Sequence, residues 1–147
     1  PLGRIVESQV QFEMRALARP PSLELGPTVP PVPILEVGMD LEPETLDAFA
    51  GAAIGGLVIA GVGGGHVSAR SAAAIGELAE HIPIVLTSRV GMGGALCASY
   101  AYEGSEIDLG HRGVLNGGKW QPAQARLLLQ LALSAGLKRV ELAELFG

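Results

Sequence analysis

The stretch LVIAGVGGGHVSARSAAAIGELAE, from Leu57 to Glu80, restricts the fold of this chain more than any other. Its first five residues, Leu57 to Gly61, are apolar without interruption. That pattern reads as a strand buried on both faces, the kind found in parallel sheets covered by helices on either side. Glycines at 61, 63, 64 and 65 then bend the chain at His66. From Ser68, a candidate N-cap, Ala72, Ile75, Leu78 and Ala79 recur at helical spacing. With 48% hydrophobic but only 4% aromatic residues, the core has to be built from Ala, Val, Leu and Ile.

The same rhythm extends in both directions. PILEVGM (Pro33–Met39) predicts a short strand. Pro43 suits the first turn of a helix on which Leu46, Phe49 and Ala50 share a face. Gly55 and Gly56 end that helix. Pro83 stops the one that starts near Ser68, and IVLTS (Ile84–Ser88) predicts another buried strand. Arg89–Gly113 reads as a long glycine-rich loop with room for one short helix, and loops of that length are usually functional. GVLNGG (Gly113–Gly118) predicts a fourth strand. From Gln121 the chain reads as helix, with Pro122 in the first turn, Leu128, Leu131 and Ala132 on one face, and Gly136 at C′. Leu137–Phe146 predicts a second short helix.

These elements predict an α/β domain of three layers, with a small, mainly parallel sheet of about four strands flanked by helices. Ligands of such sheets bind beyond the carboxyl ends of the strands, where the Gly61–His66 and Ser88–Gly94 loops lie. Upstream, GRIVESQVQFEM (Gly3–Met14) predicts a hairpin turning at Glu7-Ser8. The proline-rich Ala18–Pro33 predicts extended linker. The expected division is therefore 1–32, hairpin and linker, and 33–147, the α/β domain.

Composition excludes several functions. The net charge of −5 and the absence of a Lys/Arg cluster argue against nucleic acid as a partner. No apolar run approaches the roughly 20 residues that span a bilayer, so no membrane is expected. The single cysteine, Cys97, precludes an internal disulfide and a CxxC metal site. No metal and no cofactor is expected. A lone thiol fits a reducing cytosol and forbids little else, so the residues leave the compartment open; a cytoplasmic location is the expectation. The chain starts at Pro1 in what reads as mid-domain sequence, with no basic or apolar leader before it. Removal of a methionine or excision from a longer chain would explain that start equally well.

Read residue by residue, the chemistry is thin. GVGGGHV departs from the dinucleotide fingerprint in the place of its third glycine and lacks the acidic residue that normally follows. A tight turn explains one or two of its glycines; three in succession before an imidazole favour a backbone close to a ligand or a neighbouring subunit. A lone histidine such as His66 is more often structural than catalytic, and His81 and His111 have no ligand spacing to it. Arg89 could bind a carboxylate, although pairing within the chain is the commoner role. Glu103, Glu106 and Asp108 are expected to be solvated, and Cys97 to be a small buried residue. No nucleophile–base pair can be named.

Three stretches in order carry a resemblance. They are GLVIAGVGGGHV (56–67), IPIVLTSRV (82–90) and GVLNGGKWQPAQARLLLQLAL (113–133), the last with Pro122, Gln124, Ala125 and Arg126. Together they resemble the C-terminal domain of the bacterial L-asparaginase/glutaminase family of threonine amidohydrolases. The hairpin and linker resemble the end of that family's N-terminal domain.

The resemblance implies a C-terminal half that completes the neighbouring subunit's substrate pocket and the oligomer interface. The reaction would convert a side-chain amide to a carboxylate and ammonia. The family's nucleophilic threonine lies in a Thr-Gly-Gly-Thr-Ile context in the N-terminal domain. Thr28, Thr45 and Thr87 have no such neighbours, so no catalytic residue is expected in this chain. The implied substrate-binding residues are Gly64, Gly65, His66 (where the family has Asn or Ser) and Tyr100. Tyr100 falls where many members place the glutamate that recognises the substrate α-amino group. A phenol lacks that charge, and Glu103 or Glu106 would have to replace it. The implied partners are the missing N-terminal catalytic domain, identical subunits in a dimer or tetramer, and a small amino-acid amide. Two other functions are compatible with the residues: a stand-alone binding module without catalysis, and an enzyme whose site is the Arg89–Gly113 loop.

Overall fold

The computed structural model describes residues 3–6, 9–12, 22–38 and 40–146. Six strands are formed: β1 (Gly3–Val6), β2 (Gln9–Phe12), β3 (Ile34–Glu36), β4 (Leu57–Gly61), β5 (Ile84–Ser88) and β6 (Leu115–Asn116). The last four make one parallel sheet in the order β3-β4-β5-β6. Every residue of β4 and β5 is buried, because each strand has a neighbour on both edges and a helical layer on both faces. Ile59 pairs with Leu86 and Val58 with Val85. The pleat then sends Leu57, Ile59, Ile84 and Leu86 into one core and Val58 and Val85 into the other.

Sheet order follows chain order, so each crossover steps in the same direction. With one handedness, all the crossover helices fall on one face. That face carries α1 (Glu44–Ala50), α2 (Ala69–His81) and α3 (Glu106–His111), whose Leu46, Ala72, Ile75, Leu78 and Leu109 enter the first core. The opposite face has to be covered by chain lying outside the crossovers. It is covered by α4 (Pro122–Ser134) and α5 (Arg139–Phe146). The three-layer α/β fold is the one expected.

The proline-bearing segment takes part in the second layer. Val32 is buried in the second core. Arg126 Nε donates to Val32 O at 2.8 Å, Gln130 Nε2 to Pro30 O at 3.1 Å, and Gly26 N to Ser134 O at 2.9 Å. Side chains and backbone of α4 thus satisfy carbonyls and an amide that the prolines leave without sheet or helix partners.

Local signals explain the element ends. Ser68 Oγ accepts from Ser71 N at the start of α2. Gln121 and Gln124 form a reciprocal capping box on α4. At the other end Gly136 takes φ +78°. There Gly136 N donates to Leu133 O and Leu137 N to Ala132 O, the paired bonds of a Schellman motif.

The buried stripe of α4 differs from the expected one. It is Ala125, Leu129 and Ala132 rather than Leu128, Leu131 and Ala132. In a run as leucine-rich as Leu127–Leu129, periodicity hardly distinguishes adjacent faces. The two alanines settle it, since only small side chains let the helix lie close over Val58 and Val85. Strand β3 is shorter than Pro33–Met39, and Met39 lies outside the described residues. β1 and β2 pair antiparallel, Ile5 opposite Val10, as a hairpin requires. The expected turn at Glu7-Ser8 lies outside the described residues.

The burial of Leu129 sets a first expectation. Leu129→Ala should cost about 2–5 kcal/mol in urea unfolding. Leu127→Ala, on the exposed side of the same helix, should change stability by less than about 0.5 kcal/mol. Equal effects would contradict this packing.

Candidate functional site

Beyond Gly61 the chain folds back on itself. Val62 N donates to His66 O and His66 N to Val62 O, both at 2.8 Å, closing a three-glycine turn. Gly63 and Gly65 adopt φ +54° and +102°, which disfavour any other residue. Gly64 is required by proximity, since a Cβ there would come 2.6 Å from Leu96 Cδ1. Its carbonyl accepts from Leu96 N at 2.8 Å. What presses on this turn is therefore the long loop of the same chain.

A second tie comes from the adjacent strand. Ser88 Oγ donates to Gly63 O at 2.5 Å and accepts from Val90 N at 3.0 Å. Thr87, also buried, donates to Ile59 O at 2.8 Å. The loops after β4 and β5 are thus joined at the carboxyl edge of the sheet.

On that edge four side chains converge from two segments. The turn supplies His66, and the loop supplies Tyr100, Tyr102 and Glu106, the last as the first residue of α3. His66 Nε2 lies 3.1 Å from Glu106 Oε2, and Tyr102 Oη lies 2.6 Å from His66 Nδ1. Tyr100 meets the imidazole edge-on, with ring centroids 5.1 Å apart, and Tyr102 does so at 5.4 Å. Gly38, Val62, His66, Val67, Ser68 and Tyr102 line a cavity of about 270 Å³ beside β4.

Glu106 organises this cluster. Its side chain is fully buried. Oε1 accepts from Ser99 N and from Tyr100 N, both at 2.8 Å, and thereby shapes the backbone that carries the tyrosines. Burial alone pushes the Glu106 carboxyl up. The N–H groups of Tyr100, Glu106 and Ser99 and the His66 ring together outweigh it, so the carboxyl sits below its ordinary range. Asp108 is likewise pushed up by burial and brought below its usual value by Arg112 and by Gly104 N.

His66 and Tyr100 are brought into contact, with Gly64 and Gly65 forming the turn behind them. Tyr102 was not singled out by its sequence, although Tyr100-x-Tyr102 holds both tyrosines of an aromatic-poor chain. Three expectations need correction. Glu106 is buried rather than solvated, because three N–H groups and an imidazole replace its water. Both of its oxygens are engaged, so it has none free to replace the missing charge at Tyr100. Cys97 is exposed rather than buried, since it lies in irregular backbone that turns no face to the core. Glu103 is exposed and pairs with Arg112 at 3.5 Å. Arg89 pairs within the chain, 4.0 Å from Glu36. Among the described residues no three His, Cys, Asp or Glu side chains are grouped to hold a metal ion. No helix there is long and apolar enough to cross a membrane.

A helix-covered parallel sheet with polar loops gathered at its carboxyl edge is a common scaffold, and comparison places it. The sequence model of the Glutaminase/Asparaginase C-terminal domain matches residues 31–146, and the chain belongs to that family. A probable periplasmic L-asparaginase from Haemophilus influenzae is 32% identical over 139 residues, 90% of this chain and 38% of that protein. The thermostable L-asparaginase from Thermococcus kodakarensis superposes with a TM-score of 0.77 at 21% identity, covering 99% of this chain and 44% of that one. A probable cytoplasmic L-asparaginase from Campylobacter jejuni gives 0.76 at 24% identity, with 99% and 46% covered. The two structural likenesses show a shared fold. The chain spans less than half the length of each of these relatives. The expected cytoplasmic location agrees with the name of the Campylobacter protein and differs from that of the Haemophilus one.

The lowered Glu106 carboxyl carries a pH dependence. A depressed folded-state value stabilises the fold above the ordinary glutamate range, and the contribution is lost as pH falls through the lower folded value. Glu106→Gln should therefore be less stable than the parent by about 1–3 kcal/mol near neutral pH. The gap should close on acidification. Thermal melts of both proteins across the acid range check this, and a gap that stays constant would refute it.

Proposed function

We propose that this chain is the C-terminal part of an asparaginase-like amidohydrolase that converts a small amino-acid amide to the carboxylate and ammonia. The observation that carries the reading is the family match over residues 31–146, beside a polar cluster at the carboxyl edge of the sheet. In this reading residues 1–32 are the hairpin and linker that end an N-terminal catalytic domain, and 33–147 are the C-terminal domain. The nucleophilic threonine lies outside the chain, in keeping with the absence of a Thr-Gly-Gly-Thr-Ile context around Thr28, Thr45 and Thr87. The described contacts of Thr87 fit this, since its hydroxyl is buried and donated to a main-chain carbonyl.

The role of the domain is to complete the substrate pocket of a neighbouring identical subunit, in a dimer or tetramer. His66 and Tyr100 form the contact surface, and Gly64 and Gly65 give the turn that presents it. Exposed apolar side chains on the same edge, Val90, Met92, Tyr100 and Tyr102, suit a surface covered by another subunit. Hydrolysis would proceed by attack of the threonine hydroxyl on the amide carbon, cleavage of the C–N bond with loss of ammonia as the acyl-threonine ester forms, and attack of water on that ester to free the carboxylate and restore the threonine.

Ammonia release from L-asparagine and L-glutamine tests this. The product of the complete reading frame that includes residues 1–147 should hydrolyse at least one of them, and residues 1–147 alone should hydrolyse neither. Turnover by 1–147 alone would overturn the placement of the nucleophile outside it. A complete product inert on both amides would overturn the reaction and favour a binding module.

A further inference from the structure

Asn116 is the only asparagine of the chain, and it stands directly before Gly117 and Gly118. An asparagine followed by glycine is open to attack on its own side chain, because the next residue has no Cβ to shield the main-chain nitrogen. Packing dictates the glycine here. A Cβ on Gly117 would come 2.6 Å from Leu86 O and 3.0 Å from Thr87 Cγ2. Hydrogen bonding dictates the asparagine. Its Nδ2 donates to Leu96 O, and its Oδ1 accepts from Gly118 N at 2.7 Å. A primary amide carries the donor and the acceptor on one carbon, as both places require. A labile pair is therefore built into the fold.

The amide bridge reaches the carboxyl edge. Leu96 N donates to Gly64 O at 2.8 Å, and the Leu96 side chain lies against Gly64. Ala95 N donates to Gly118 O at 2.9 Å. Leu96 is thus held between β6 and the glycine turn that carries His66, with the Asn116 amide as its tie to β6.

The same region guards the labile bond. Attack needs the nitrogen of Gly117, which donates to Leu86 O at 2.7 Å. While that bond stands, the nucleophile is occupied. β6 is two residues long and ends the sheet, so Asn116–Gly117 can open without the rest of the core.

We propose that Asn116–Gly117 is a site of spontaneous deamidation, guarded by the bond to Leu86 and coupled through Leu96 to the turn that presents His66. When β6 opens, Gly117 N bonds to Asn116 Cγ, the Cγ–Nδ2 bond breaks, and ammonia leaves with the proton of the attacking nitrogen. Water then opens the cyclic succinimide. Opening at Cγ gives aspartate. Opening at the main-chain carbonyl gives isoaspartate, with an extra methylene in the backbone. Either product replaces the amide by a carboxylate, which cannot donate to Leu96 O and repels it. The loop after β5 then loses its tie to β6 irreversibly. Nothing in this chemistry depends on the reaction proposed above.

Ageing of the full-length protein at mildly alkaline pH, followed by peptide mass spectrometry, tests the site. The mass gain of amide-to-acid conversion should appear in the peptide that holds Asn116, in native buffer and at least about tenfold faster in denaturing urea. Asn116→Asp makes the product without the chemistry. It should raise amide hydrogen exchange at Leu96 and Ala95 by about tenfold and leave the amides of β4 unchanged. Parent protein converted by ageing in native buffer should show the same change, and it answers the question if N116D does not fold. A peptide that stays unconverted in either medium, equal rates in both, or unchanged exchange at Leu96 in the converted protein would overturn the proposal.

Discussion

Burying β4 and β5 on both faces is the constraint on which the rest of this structure depends. A strand with no wet side obliges the chain to provide two separate apolar layers. Because the strands are ordered as the chain runs, the crossovers supply only one of them. The other has to come from outside the βαβ units, and α4, α5 and the segment around Val32 provide it. This division explains why residues distant in sequence, such as Val32 and Arg126, hydrogen-bond one another. The irregular segments that follow β4 and β5 gather at the carboxyl edge of the sheet.

At that edge two polar groups do what a hydrophobic core does elsewhere. Ser88 clamps the glycine turn to the end of β5, and Glu106 clamps the long loop to His66. The loop has no regular hydrogen-bonding pattern of its own over Arg89–Gly104, so backbone amides would be left unpaired without such acceptors. Glu106 takes two of them and remains charged by doing so. A carboxylate placed in this way is more than a fastener. Its other oxygen meets His66 Nε2, so one carboxylate ties the loop backbone to the imidazole that Tyr102 also contacts. Structure and chemistry at this edge share a single group.

The family assignment and the site geometry bear on different scales. Membership in the Glutaminase/Asparaginase C-terminal domain family accounts for the sheet, the turn and the closing helices. The His66–Glu106–Tyr102 arrangement is a contact among side chains of two segments at the carboxyl edge. The chain spans under half the length of these relatives. The polar cluster lies beside the exposed side chains of Val90, Met92 and Tyr100.

The sequence by itself determined the layers. Uninterrupted apolar runs at Leu57–Gly61 and Ile84–Ser88, helical stripes between them, and Ser68, Pro122 and Gly136 at element ends act through nearest neighbours along the chain. They are legible for that reason. The glycine turn was legible too, since Gly63 and Gly65 announce positive φ. Its neighbour was not: Leu96 and Ala95 arrive from some 30 residues on, a separation that no local pattern reports. Tertiary structure alone decided which face of the leucine run in α4 is buried, because that depends on how closely the alanines let the helix approach the sheet. It alone decided the fate of Glu106 as well. A carboxylate in a loop reads as solvated until folding brings Ser99 N, Tyr100 N and His66 around it, and only that convergence replaces the water it gives up.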